Sequence, residues 1–251
     1  MDERIPPITE EQKATIKHAE NYLLQHGIGI KEFGSYVSLK NASFMQMDEK
    51  DQDEFCGLYD EIELSGKDKR HKGKKLEELV YVLFHKGGQG LLETIKNVRT
   101  SSNEIDLIVQ WTSEAVSIGA NRELSDLGNS FLCECKNYDQ KVSVTYVGKF
   151  CSLLSCADYH FGIMIAWNGV TGKTDWSDAK GLIKKFALSE KRYIIVLSKN
   201  DFKSIYDKEK NLFSLLNEKM LALKNDISFS KLIQPHELEN NFNKSGGVFH
   251  I

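Results

Sequence analysis

Three short apolar runs, 131–136, 162–167 and 193–198, alternate with two stretches of helical spacing, 143–157 and 177–188. Runs of this length suit strands covered on both faces, and helices between them are the crossovers that parallel strands need. The pattern predicts an α/β sheet whose faces are covered by helices. Upstream, 92–98 and 105–111 read as two further strands. A helix over 72–85 precedes them, with Leu76, Leu79, Val80, Leu83 and Phe84 as its apolar stripe and Gly87-Gly88-Gln89-Gly90 ending it.

The chain opens with Thr9-Glu10-Glu11-Gln12, a capping box, and Ile16, Ala19, Tyr22, Leu23 and Leu24 continue it as an amphipathic helix. Residues 28–39 read as extended. The acidic stretch 48–63, with Phe55, Leu58 and Tyr59, reads as a helix. These pieces predict a small N-terminal α-rich accessory module over 1–66, a core over 67–202, and a C-terminal helical extension over 203–251 packed on the core. That extension contains an amphipathic helix over 211–224 and a loosely ordered end after Asn240. The connection 112–129 is long for a hairpin, which predicts a functional loop or a small insertion.

Composition narrows the classes. No apolar run approaches the roughly 18 residues of a membrane span, and Met1-Asp2-Glu3-Arg4 lacks the apolar core of a signal peptide. A cytoplasmic protein without membrane contact is expected. The five cysteines, an odd number in mostly apolar settings, favour buried thiols over a disulfide framework, and Cys133, Cys135, Cys151 and Cys156 lack the C-x2-C spacing of structural zinc. A net charge of -3 argues against coating nucleic acid by bulk electrostatics. Against that background, 67–75 is locally basic: it is either a solvated face or a phosphate-contacting patch of Lys69, Arg70, Lys72, Lys74 and Lys75.

Two of the strands carry charges that do not belong in a core. Side chains alternate along a strand, so Glu104, Asp106, Ile108 and Gln110 share one face, and Leu132, Glu134 and Lys136 share another. Phe131, Cys133 and Cys135 point the opposite way, into the core. Ionisable groups in such strands are costly unless they pair or bind an ion. Two carboxylates and a lysine suggest a metal site with a cationic helper.

The order is a helix with Glu77, a strand with Asp106, a strand with Glu134-x-Lys136, then helix, strand, helix, strand. In this order the chain resembles the PD-(D/E)xK nuclease superfamily, and within it the Mrr-like restriction endonuclease group. The residues that carry the resemblance are Gly73-Lys74-Lys75-Leu76-Glu77, Glu104-Ile105-Asp106-Leu107 and Cys133-Glu134-Cys135-Lys136, with Val147, Phe161-Gly162-Ile163-Met164-Ile165, Ala179 and Tyr193-Ile194-Ile195-Val196-Leu197 downstream. The likeness covers about 72–202 and rests on the combined order, since E-x-K alone is common. The chain departs from the group in three ways: no proline precedes Asp106, Glu134 stands where many members have glutamine, and 112–129 is longer than a compact hairpin.

The resemblance implies a restriction-endonuclease-like α/β core with a central mixed β-sheet flanked by helices, and a Mg²⁺-dependent endodeoxyribonuclease, with Mn²⁺ able to substitute, acting in defence against foreign DNA. It implies Asp106 and Glu134 as metal ligands, with the Cys135 carbonyl as a third. Lys136 would position the attacking water or stabilise phosphate charge, and Glu77 would add a ligand or orient metal-bound water. Glu78 competes with Glu77, and Glu104 is a lesser metal neighbour. His71 and His160 are bases only in principle, Asp139 and Gln140 belong to a turn, and Trp167-Asn168-Gly169 is a phosphate or base contact. Taken singly, each residue has an ordinary structural explanation. The acidic N-terminal module would repel phosphate, which predicts a homodimer or a protein partner using that module. The alternatives are a dormant nucleic-acid-binding or partner-docking subunit, or a nuclease acting on RNA or branched DNA.

Overall fold

The computed structural model describes residues 8–36, 45–65, 68–99, 104–136 and 139–226. Helix α1 (Glu10–Gln25) begins at the predicted capping box: the Thr9 hydroxyl accepts from Gln12 N at 3.2 Å, and Gln12 Oε1 accepts from Thr9 N at 2.9 Å. None of its residues is buried, and Ile16, Tyr22 and Leu24 are more than half exposed. The amphipathic stripe thus has no cover among the described residues.

The extended expectation for 28–39 is corrected by α2 (Ile30–Tyr36), with 37–39 outside the described residues. Gly29 N donates to the Glu32 carboxylate at 3.1 Å and Phe33 N to Gly29 O at 3.0 Å. These local bonds start a helix that outweighs the low helical propensity of Gly34.

Helix α3 (Glu49–Leu64) is capped by Asp48, which accepts from Asp51 N at 2.8 Å. Its Phe55, Leu58, Tyr59 and Ile62 are buried, and it lies against α4 (Lys69–His85). The acidic stretch is therefore one-sided: its carboxylates line the solvent face while its apolar residues join the main core.

Five strands follow: β1 (Leu92–Arg99), β2 (Glu104–Trp111), β3 (Ser130–Lys136), β4 (Phe161–Ala166) and β5 (Tyr193–Leu197). They stand in sequence order; β1, β2 and β3 pair antiparallel, while β3, β4 and β5 pair parallel. This is the predicted mixed sheet flanked by helices. Between β2 and β3, the long connection is a packed insertion. It holds α5 (Ser113–Ser117) and two short 3-10 turns, buries Ala115, Ala120, Leu124 and Leu127, and is tied down by Trp111 Nε1 donating to Gly128 O at 3.0 Å.

The parallel crossovers run through α6 (Val144–Cys156) and α7 (Asp178–Glu190), which pack on each other. Helix α6 presses so closely on β4 that a Cβ on Gly162 would lie 2.8 Å from Phe150 Cζ and 2.9 Å from Leu154 Cδ1. Helices α8 (Lys199–Tyr206) and α9 (Leu212–Asp226) complete the described chain, and α9 buries Leu212, Phe213, Leu215 and Leu216. Gln52 on α3 donates to Ile205 O and Tyr206 O, both at 3.1 Å, fastening α3 to α8.

Candidate active site

Along β2 the predicted alternation holds: Ile105, Leu107, Val109 and Trp111 are buried, and Asp106, Ile108 and Gln110 are half-buried. The antiparallel register pairs Leu107 with Cys133, and one step further along it brings Asp106 opposite Glu134. Asp106 reaches across the gap where the ladder ends, and its Oδ2 accepts from Cys135 N at 2.6 Å. That bond fixes a carboxylate beside the half-buried ion pair of Glu134 Oε1 with Lys136 Nζ, whose side chains are only 17% and 21% exposed. Three of the predicted residues therefore meet at the end of β3. The side chain of Glu104 lies outside the described residues.

Glu77 approaches from the other side. Phe84 on α4 meets the Phe131 ring at 5.8 Å, so this helix covers the face of β3 that carries Phe131 and Cys133. Glu77 is close enough to Cys135 and to Lys96 on β1 for its charge to act on both. Lys96, which no sequence pattern marked, lies 3.3 Å from the centroid of the Tyr81 ring. Although Lys96 is exposed to solvent overall, partial desolvation there draws its ammonium below the ordinary lysine range, with Glu78 and Glu77 opposing.

Glu78 turns toward the basic run instead, 3.1 Å from Lys75 Nζ and 4.0 Å from Lys74 Nζ. Lys75 also meets Glu61 at 2.9 Å, so carboxylates offset part of that run. Of its other members, Arg70 and Lys74 are exposed and Lys72 is half-buried, while the Lys69 side chain lies outside the described residues. His71 is exposed, with its backbone N capped by Asp68 at 3.1 Å. His160 is exposed and its carbonyl accepts from Tyr193 N at 2.8 Å, while Asp139 and Gln140 form an exposed bend.

Cys133 is fully buried and Cys135 half-buried. Burial, and behind it the Asp106 carboxylate, pushes both thiols well above the ordinary thiol range. Both side chains also lie on the face of β3 that α4 covers, opposite to Glu134 and Lys136. The donors available at the end of β3 are instead oxygens, from Asp106, Glu134 and the backbone. Among the described residues no three His, Cys, Asp or Glu side chains gather as a ready-made metal cage. Two carboxylates and a carbonyl still fit a hard divalent cation, because Mg²⁺ keeps several waters and is usually held by one or two carboxylates. With Lys136 alongside, the three side chains carry a net charge of about −1, an environment that favours a cation.

Trp167 follows β4 and is buried against Tyr59 and Phe202, its Nε1 donating to Glu63 Oε1 at 3.0 Å. It thus fastens the carboxyl end of β4 to α3, and Asn168 next to it is exposed.

The restriction endonuclease family model, that of the Mrr catalytic domain, matches residues 69–202, more than half of the chain. The chain belongs to the Mrr-type restriction endonucleases. It is accordingly a nuclease, in a family that generally uses divalent metal ions. The match encloses Glu77, Asp106, Glu134 and Lys136 along with the whole sheet. No curated protein matches the chain.

Proposed function

We propose that this Mrr-type nuclease is a Mg²⁺-dependent endodeoxyribonuclease, with Mn²⁺ able to substitute, that cuts foreign DNA in host defence. The observation that carries the reading is the Cys135 N to Asp106 bond, which sets Asp106 beside the Glu134–Lys136 pair. Asp106, Glu134 and the Cys135 carbonyl would hold the ion, which when bound supplies Lewis acidity and charge neutralisation to the phosphoryl oxygens. Lys136, held in place by Glu134, presents a fixed ammonium where negative charge develops on the phosphate, and it orients the attacking water. Glu77, poised beyond Cys135, orients solvent at the same strand end.

Plasmid cleavage in Mg²⁺ or Mn²⁺ tests the assignment. Asp106→Ala and Lys136→Ala should each lose about 10²-fold or more in rate, and equal rates in all three proteins would sink it. A panel of labelled DNA, RNA and branched substrates separates the substrate classes. Calorimetry that finds no Mg²⁺ or Mn²⁺ affinity beside intact DNA binding would favour the dormant-subunit reading.

The N-terminal module is proposed to pair two copies or to bind a protein partner. The exposure of Ile16, Tyr22 and Leu24 on α1, a helix with no buried residue, supports this, since apolar side chains left in water favour a contact that covers them. A monomeric mass by light scattering together with full cleavage activity would contradict it.

A further inference from the structure

A groove of about 590 Å³ lies against β5 between α7 and α9 and continues past the ends of β4 and β5, and five lysines and two aspartates line it. It opens at the carboxyl ends of the parallel strands, as the candidate active site does. Lys136 pairs with Ala166 across β3 and β4; residues 167–170, which follow β4, and 198–200, which follow β5, form its mouth. Two strand spacings, about 10 Å, separate β3 from β5, or roughly three nucleotides at about 3.4 Å each.

The mouth is rigidly built. Val142 bridges to Val170, and Lys180 N donates to Thr171 O at 3.1 Å. A Cβ on Gly172, whose φ is +145°, would lie 2.8 Å from Ser177 O, so the loop closes on the start of α7 only with glycine there.

The charges inside are sorted. Lys184, with its side chain only 8% exposed, lies 3.2 Å from Asp226 and 3.8 Å from Asp175. Lys199 pairs with Glu63, and Lys219 with Asp201 at 2.6 Å. Lys141 and Lys180 are both exposed and form no ion pair among the described residues. Ion pairs therefore hold three of the five lysines, while Lys141 and Lys180 present solvated ammonium groups. An open, lysine-rimmed groove suits a chain of phosphates better than an enclosed small molecule.

We propose that this groove carries the sugar–phosphate backbone of the substrate strand flanking the cleaved bond, with Lys141 and Lys180 as its phosphate contacts. The proposal rests on the nuclease reading of the β3 site. Its test uses binding, so that the two can fail separately.

Full-length Lys136→Ala protein, with and without Lys141→Gln plus Lys180→Gln, is titrated with labelled duplex and single-stranded DNA and RNA over a range of salt. The double substitution should lower the slope of log K against log salt by about two, one per lysine, and weaken binding roughly tenfold or more at low salt. Each single variant should lower it by about one, with an unchanged melting temperature. An unchanged slope overturns the proposal even if the wild type cleaves and Asp106→Ala does not. Failure of every nucleic acid to bind overturns it too, and plasmid cleavage then judges the β3 site independently. Deoxynucleoside monophosphate binding that the double variant abolishes while the slope stays fixed would overturn it in favour of a small anionic ligand.

Discussion

Strands β3 and β4 lie side by side in parallel register, from Leu132 against Gly162 to Lys136 against Ala166. All six residues of β4 are buried and none is ionisable. Its neighbour starts the same way, with Phe131, Leu132 and Cys133 buried, and then breaks the rule with Glu134 and Lys136. The backbone frame is shared, so the frame does not require the charges. A half-buried ion pair gives up hydration that its mutual attraction need not recover, whereas apolar residues at the same places are neutral or better. The first half of β3 and all of β4 serve packing, and Glu134 and Lys136 are the charges that the proposed chemistry would use.

The largest effect should come from making β3 resemble β4. Glu134→Leu with Lys136→Leu should abolish cleavage, by about 10³-fold or more, because both the ion's carboxylate and the fixed ammonium are gone. Thermal unfolding should stay where it is or move upward. A fall in melting temperature of more than about 5 °C, on the order of 1–2 kcal/mol for a chain of this size, would make the pair structural and end the contrast.

The converse change belongs on β4. Met164 is fully buried and pairs with Glu134 in register. Met164→Ala should cost about 2–5 kcal/mol through lost burial and the cavity left behind. Cleavage per folded molecule, measured well below the new melting temperature, should change little. A large rate loss without destabilisation would show that β4 helps to shape the site.

The same contrast explains what was legible in the sequence. Buried runs such as Phe161–Ala166 announce themselves, since apolar continuity between helical stretches has few other meanings, and a sheet covered by helices follows from them, while its mixed strand order is what the family resemblance implies. Asp106, Glu134 and Lys136 were legible because charge stands out against an apolar strand, and the structure brings them together. Alternation also told the cysteines from the site, since Cys133 and Cys135 share the face that α4 covers.

What periodicity could not show was long-range pairing. Nothing local says that Glu63 on α3 would hold Trp167 and Lys199, that Glu77 would act on Lys96, or that Lys141 and Lys180 would share one rim. Over 30–36, Gly34 and the β-branched Ile28 and Ile30 weaken the helical signal in the sequence, while the Gly29–Glu32 bond that starts the helix is a side-chain contact. The insertion after β2 was seen as length alone. Its packing depends on four small or apolar side chains, Ala115, Ala120, Leu124 and Leu127, scattered through a polar segment.

The smallest effect concerns the apolar half at high pH. Helix α6 lies on β4 and buries Cys151, whose thiol is pushed up to about 12 from 9.0 chiefly by burial. A raised thiol pKa means that the folded chain holds its proton longer than the unfolded chain. Its contribution is therefore complete below pH 9 and is lost progressively as pH rises toward 12. At about pH 10.5 the loss should be on the order of 1–2 kcal/mol. Melting curves at pH 8 and pH 10.5 should show a larger drop for the wild type than for Cys151→Ala, which has no thiol to ionise. Equal drops would mean that water reaches Cys151, and that the face of β4 beneath α6 is less dry than its neighbour's ionisable end is meant to contrast with.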